Sequence, residues 1–265
     1  MRILFVGDVF GSPGRKIVRD HLAHVVESNA IDLTIVNAEN SAGGFGVTPS
    51  IAEELFALGA DVLTTGNHVW DKKEIIGYLR SADVGSHGTA RRLLRPANYP
   101  PGNAGFGWYQ GETPRGMKFA VINLQGRTFM VDNDDPFRTA DELLKNITSK
   151  VIFVDLHAEA TSEKIAMGWY LDGRVTAIVG THTHVPTADE RILPQGTAYL
   201  TDSGMTGPYD SVIGVEKEQV LERFLTSLPG RFQPASGDVR FCAVIIDCDE
   251  NTGKASAIKR LMLAE

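Results

Sequence analysis

Short apolar runs in this sequence keep ending in the same few chemical groups. Ile3-Leu4-Phe5-Val6 leads into Gly7-Asp8, and Leu33-Thr34-Ile35-Val36 into Asn37-Ala38-Glu39-Asn40. Val62-Leu63-Thr64-Thr65 leads into Gly66-Asn67-His68, and Val151-Ile152-Phe153-Val154 into Asp155-Leu156-His157. Ala177-Ile178-Val179 leads into Gly180-Thr181-His182-Thr183-His184. Carboxylate, carboxamide oxygen and imidazole without thiolate suit borderline divalent metals such as manganese, iron or zinc. Asp8, Glu39, Asn40, Asn67, His157, His182 and His184 are therefore the candidate metal ligands. Glu39 carries two oxygens and can bridge two ions. His182 and His184 are two residues apart, so in an extended segment they would point the same way and serve one ion each. Two metals about 3.5–4 Å apart can hold a bridging hydroxide and clamp the oxygens of an in-line displacement at phosphorus.

Each residue alone has an ordinary explanation. Short polar side chains at strand ends make Asx-turns or cap helices, and a lone histidine can be a hydrogen-bonded core residue. Repetition over five strand ends, with two histidines alternating with threonine, favours ligation. On these grounds His157 is the least distinctive of the three histidines. His21 and His24 lie one turn apart and read as a solvated helix face, and His87 reads as an exposed loop residue. Gly7, Gly11 and Gly14 lack the Gly-x-Gly-x-x-Gly spacing of a dinucleotide loop, and no Gly-Lys-Ser/Thr is present for a P-loop. They fit backbone packed beside a metal site and a tight entry to the first helix. Ser41–Gly46 fits either a pocket lining or an ordinary loop. Arg127 and Arg138 could contact phosphate, but surface ion pairing is the commoner fate of an arginine.

The elements that must position these groups follow from hydrophobic patterning. Strands are predicted at Arg2–Gly7, Leu33–Ala38, Asp61–Thr65, Lys118–Leu124, Val151–Leu156, Val175–Val179, Thr197–Thr201 and Arg240–Asp247. Helices are predicted at Gly14–Glu27, Pro49–Leu58, Lys72–Leu79, Phe137–Asn146, Ser162–Tyr170 and Lys217–Leu225. The early alternation of strand and helix implies parallel βαβ units. The closer spacing of later strands implies a mixed sheet or two packed sheets. In such folds ligands bind at the carboxyl ends of the strands, where the candidate ligands stand. Ser81–Gly107, rich in Gly, Pro, Ser and Arg, reads as a surface excursion within a single domain spanning residues 1–265.

Composition narrows the function classes. With 43% hydrophobic and 22% charged residues among 265, the sequence reads as a soluble globular protein able to bury a sizeable core. No run is long enough to span a bilayer or serve as a signal peptide, so a cytoplasmic protein without a membrane partner is expected. Cys242 and Cys248 form no metal motif and read as reduced, buried thiols. A net charge of −7 argues against a partner in long nucleic acid, though not against small phosphate esters met by bound cations. A homo-oligomer is the generic expectation.

Gly7-Asp8, Glu39-Asn40, Gly66-Asn67-His68, His157 and Gly180-Thr181-His182-Thr183-His184 resemble the ordered motifs of calcineurin-like metallophosphoesterases. Glu39-Asn40-Ser41-Ala42-Gly43-Gly44, the segment His157–Lys164 and Asp202-Ser203-Gly204-Met205-Thr206-Gly207-Pro208 resemble one branch more closely, the YmdB-like cyclic-nucleotide phosphodiesterases. The resemblance implies a four-layer α/β/β/α sandwich of two mixed sheets flanked by helices, with two divalent or mixed-valence metal ions at the strand ends. Iron or manganese is the leading choice, with zinc as an alternative. It implies Asp8, Glu39, Asn40 and His184 on one ion and Glu39, Asn67, His157 and His182 on the other, with Glu39 bridging. His68 is then the catalytic proton donor to the leaving oxygen, a role suited to imidazole, after hydroxide activated by the metals attacks phosphorus. The implied substrate is a small phosphate ester, a cyclic nucleotide in 2′,3′ or 3′,5′ form. A phosphomonoesterase or nucleotidase, and a non-catalytic nucleotide sensor, remain as alternatives.

Three departures from the wider superfamily stand out. Phe10 occupies a position that is normally histidine, Glu39 one that is normally aspartate, and Val69 one where relatives carry an acid that orients the histidine. Asn40 can replace the missing imidazole with a neutral oxygen. The partner of His68 is left unassigned.

Overall fold

Alternate side chains of the first strand enter different layers: Ile3 and Phe5 join one apolar cluster, Leu4 and Val6 another. That period of two runs through the fold of the computed structural model, which describes residues 1–83 and 88–265. His87 lies outside the described residues. One sheet contains β1 (Arg2–Val6), β2 (Leu33–Asn37), β3 (Val62–Thr64), β10 (Gly207–Pro208), β11 (Val239–Cys248) and β12 (Ala255–Ala264). Its order is β10-β11-β1-β2-β3, with β12 on β11. Strands β1, β2 and β3 are parallel, and β11 runs antiparallel to β1. The second sheet contains β4 (Trp108–Glu112), β5 (Lys118–Gln125), β6 (Val151–His157), β7 (Ala177–Thr181), β8 (Arg191–Ile192) and β9 (Ala198–Leu200). Its order is β4-β5-β6-β7-β9-β8, parallel except for β4 and β8 at its edges.

The sheets pack face to face. Ile3, Phe5, Leu33 and Ile35 meet Phe119, Val121, Phe153 and Val179, and the rings of Phe5 and Phe153 lie 4.9 Å apart. Helices α1 (Gly11–Ser28), α2 (Pro49–Ala57) and α3 (Glu74–Asp83) cover the outer face of the first sheet, where Ile17, Leu22, Leu55 and Leu79 pack on Leu4, Val36 and Leu63. Helices α4 (Pro136–Leu144) and α5 (Thr161–Leu171) cover the second, where Ala140, Met167 and Leu171 pack on Ile122, Val154 and Ile178. The result is the α/β/β/α sandwich that the family resemblance implied. Helix starts follow local chemistry. Thr48 accepts from Ile51 N before Pro49, and Asp135 accepts from Phe137 N and Arg138 N before Pro136. The sixth helix, α6 (Lys217–Thr226), roofs a small cluster of Phe10, Met205, Val215 and Val220. No helix among the described residues is long and apolar enough to cross a membrane.

The sequence reading missed β4, β8, β10 and β12. Strand β12 reads Ala-Ser-Ala-Ile-Lys-Arg-Leu-Met-Leu-Ala, without clean alternation, and pairs along β11 with much of its surface exposed. Residues 88–107 correct another expectation, since they are not a surface excursion. Leu93 and Leu94 are fully buried, Leu93 pairs with Leu63 beside β3, and Tyr99 reaches the Gly66 carbonyl and Gln125. Arginine makes this irregular burial possible: Arg91 and Arg92 donate to the carbonyls of Trp108 and Asp61, and Arg95 to Ala104.

Candidate metal centre

Because β1, β2 and β3 are parallel, the residues after them emerge on one edge of their sheet. Those after β6 and β7 emerge on one edge of the other. A buried polar network brings the two edges together. Asp155 on β6 accepts from Asn37 of β2 at 2.9 Å, from Thr64 of β3, and from Thr181 of β7 at 2.7 Å. Thr65 N donates to Asn123 Oδ1 across the same seam. Above this network lie all eight residues expected to form the site. Asp8, Glu39, Asn40, His157 and His184 are buried, and Asn67, His68 and His182 are half-buried.

Hydrogen bonds decide which nitrogen of each ligand histidine faces the hollow. The Thr181 hydroxyl proton goes to Asp155, so its oxygen accepts from His157 Nδ1 at 2.9 Å and leaves Nε2 bare. His184 Nδ1 lies 2.8 Å from the Ile213 carbonyl, which can only accept, so its Nε2 is bare too. His182 Nε2 lies 3.1 Å from the Glu159 carboxylate, leaving Nδ1 bare. These lone pairs face other lone pairs. His157 Nε2 is 3.0 Å from His182 Nδ1, 3.0 Å from Asn67 Oδ1 and 3.1 Å from Glu39 Oε1. Asn40 gives its amide proton to the Gly44 carbonyl, so its oxygen points at His184 Nε2, 3.4 Å away. Asp8 Oδ2 accepts from His182 N at 3.3 Å, while Asp8 Oδ1 and Glu39 Oε2 are buried without a partner among the described residues.

Lone pairs held this close repel unless a proton or a cation lies between them. The electrostatics agree. Burial alone would raise the Glu39 carboxyl, but the His157 imidazole against it brings it down to about 2. Burial opposes charge on His157, yet Glu39, with Asp8 and Asp155 behind it, raises its pKa. Burial and the neighbouring His157 push His182 down to about 3, and burial lowers His184. Burial lifts Asp8 well above the usual carboxylate range. Glu39, His157 and His182 offer ligand atoms within 4.8 Å of one another. The donor set, the opposed lone pairs and the orphaned carboxylate oxygens all fit divalent cations.

His182 and His184 do not lie in an extended segment as expected. They follow β7 in a turn with φ of 101° and 65°, so their rings diverge, one toward His157 and the other toward Asn40. Asp202 fixes that turn, accepting from the backbone and hydroxyl of Thr183 at 3.2 and 2.8 Å and from Gly204 N at 2.8 Å. Its charge is met by the equally buried Lys164 of α5 at 2.7 Å. Backbone closeness explains Gly66, where a Cβ would fall 2.1 Å from Glu39 Oε2 and 2.2 Å from His157 Cδ2. Gly7 likewise lies against the Gly204 carbonyl, 2.1 Å from where its Cβ would be.

His68 stands at the rim, and its Nδ1 lies 2.9 Å from Asp71 Oδ2 one turn along the chain. Asp71 is the orienting acid that the Val69 position lacks. Sequence reasoning also missed Asp155, Thr181, Glu159, Lys164 and Asp202. The last four sit in segments singled out by resemblance, but nothing in their spacing said what they touch. His24 is exposed, His21 is half-buried beside Phe241, Arg127 pairs with Asp135, and both cysteines are free and buried.

Fold and site together define a two-sheet α/β/β/α protein with a buried cluster of candidate metal-ligating groups where the sheet edges meet. The YmdB-like protein family model matches residues 4–261, and the chain belongs to that family. It is 50% identical over 265 residues to a 2′,3′-cyclic-nucleotide 2′-phosphodiesterase of Bacillus subtilis, covering 99% of this chain and 97% of the relative. It is 35% identical to a putative phosphatase/phosphodiesterase of Mycoplasma pneumoniae, covering 100% and 94% of the two. A solved structure of a hypothetical protein from Thermus thermophilus superposes with a TM-score of 0.91 at 43% identity over the full length of both chains. A novel phosphatase from Mycoplasma pneumoniae does so with a TM-score of 0.91 at 34% identity, over 100% of this chain and 93% of the other.

Proposed function

We propose that this chain, acting as one domain over residues 1–265, is a dinuclear metal-dependent phosphodiesterase of cyclic nucleotides in 2′,3′ or 3′,5′ form. The observation that carries the reading is the set of opposed lone pairs on His157, His182, His184, Asn40 and Asn67 around the unpartnered oxygens of Asp8 and Glu39. Glu39, Asn67, His157 and His182 would hold one ion, and Asp8, Glu39, Asn40 and His184 the other. Iron, manganese or zinc held there would supply acidification of a water and neutralisation of phosphate charge. The chain's own groups do the rest. Glu39 would belong to both sets through its two oxygens, and Asp155, Thr181, Ile213 and Glu159 keep each imidazole turned inward. His68, held by Asp71, gives a proton to the departing ribose oxygen. The Bacillus relative supports the 2′,3′-cyclic substrate.

The test is His68→Ala, measured for metal content and turnover together. Expected is wild-type metal with turnover of 2′,3′-cyclic nucleotides lowered about 10²–10⁴-fold. Turnover at the wild-type rate would refute the donor assignment, and less than one metal per chain after reconstitution would refute the dinuclear centre. The Mycoplasma relative's name favours a second reading, a phosphomonoesterase with the same centre. Parallel assays of cyclic diesters and monoesters separate the two. Complete metal occupancy with nucleotide binding and no turnover would point instead to a sensor.

A further inference from the structure

The cleft that opens onto the candidate metal centre has a volume of about 850 Å³, within the range of small-molecule sites and more than a phosphodiester group fills. Its lining includes Glu39, Asn40, His68, His182 and His184. Much of the rest is apolar. Phe45, Ile213 and Phe224 line it while 39%, 53% and 79% exposed, respectively. Scattered exposed apolar residues are ordinary, but several around one concave site mark a binding surface. This wall is tied to the donor groups by direct contacts. The Phe45 ring meets His68 edge-on with centroids 5.1 Å apart, and the Ile213 carbonyl holds His184 Nδ1. Phe224 projects from α6 beside Arg223, whose guanidinium lies over the Phe232 ring at 5.4 Å. Among the described residues no carboxylate pairs with Arg223, so its donors are free for a ligand's acceptor edge.

We propose that the apolar lining of this cleft is a nucleobase subsite, with Phe45, Ile213 and Phe224 as its walls and Arg223 at its rim. The inference rests on the phosphodiesterase reading for the donor groups of the same cleft. A flat ring with hydrogen-bond acceptors on one edge matches aromatic faces beside a guanidinium. An acyl chain would leave those donors unused. Phe224 is thereby a specificity-determining residue of the second sequence half, carried by a helix that supplies no candidate ligand.

The test uses the metal-loaded protein and compares binding of adenosine monophosphate with that of ribose 5-phosphate by calorimetry. The wild type should bind the nucleotide about tenfold or more tightly than the sugar phosphate, the size of one base–aromatic stack. Phe224→Ala should remove most of that ratio, and Phe224→Tyr should keep it. Phe224 is largely exposed, so neither change empties a core. In kinetics, Phe224→Ala should lower kcat/KM for 2′,3′-cyclic AMP about tenfold more than for the base-free 2′,3′-cyclic phosphate of methyl riboside. Equal wild-type affinity for the two phosphates, or an unchanged ratio in Phe224→Ala, would overturn the subsite. So would an oligomeric state altered by Phe224→Ala with the ratio intact. If wild-type protein hydrolyses neither cyclic ester, the phosphodiesterase reading fails while the binding ratio still judges the subsite.

Discussion

Histidine tautomers are the finest-grained feature of this site, and each is set by a partner with only one role to play. A threonine hydroxyl already committed to Asp155, a backbone carbonyl and a carboxylate turn three imidazoles inward. The same reasoning applies to His68, whose Nδ1 faces Asp71 and whose other nitrogen would, in the proposed reaction, serve the leaving oxygen. Asp71→Asn should therefore lower kcat by about 10–100-fold, the usual cost of losing a carboxylate behind a functional histidine. Metal content should stay at the wild-type level, because Asp71 touches none of the candidate ligands. Metal analysis beside steady-state kinetics checks both, and an unchanged kcat would remove Asp71 from the mechanism.

At the scale of elements, the turn after β7 depends on an ion pair that it does not contain. Lys164 reaches from α5 to Asp202, and Asp202 in turn holds Thr183 between the two histidines. Both charges are 1% exposed, so removing one leaves the other buried and unpaired. Lys164→Met is expected to cost about 3–5 kcal/mol in denaturant unfolding and to weaken metal binding with it. Adding Asp202→Asn should recover part of the stability, since the orphaned charge is gone. Recovery of stability without recovery of metal affinity would show Asp202 acting on the His182–His184 turn. A single-variant loss below about 1 kcal/mol would contradict the buried pairing.

For the whole molecule, candidate ligands from both sheets meet at one place, so under the proposed reading cations should bind the folded chain far better than the unfolded one. Saturating metal at about a hundred times its Kd is expected to add about 2.7 kcal/mol of stability, read as a shift in Tm against chelator-treated protein. The pH dependence has a definite sign. The pKa of His157 is raised in the metal-free fold, so a cation must displace its proton. Metal stabilisation should grow as pH rises through that raised pKa and fade below it. Without metal, the His157–Glu39 contact works the other way: its contribution is present at low pH and is lost as pH rises through the same value. A metal-induced Tm shift that is flat with pH would argue against His157 as a ligand.

The sequence by itself determined the donor types and their places at strand ends. Parallel strands share a carboxyl edge, and a period of two sorts residues such as Ile3 and Leu4 between layers whatever surrounds them. Glu39 and Asn67 could thus be named as candidates without coordinates, His157 only with the family resemblance beside that pattern, and most of the strands and helices that carry them could be placed too. Strand β12 could not, because its pairing comes from the free edge of β11 rather than from its own pattern. Residues 88–107 could not, because arginines supply the hydrogen bonds that their burial demands. Tertiary structure alone decided how the candidate site is arranged. It set the edges of two sheets against each other through Asp155, Asn37 and Thr64, and it turned His182 and His184 apart by positive φ. It also set Asp71 beside His68 and put Phe224 of α6 on the same cleft as the candidate ligands. Lone-pair direction depends on what each nitrogen's other side touches, and those partners come from elements distant in the chain.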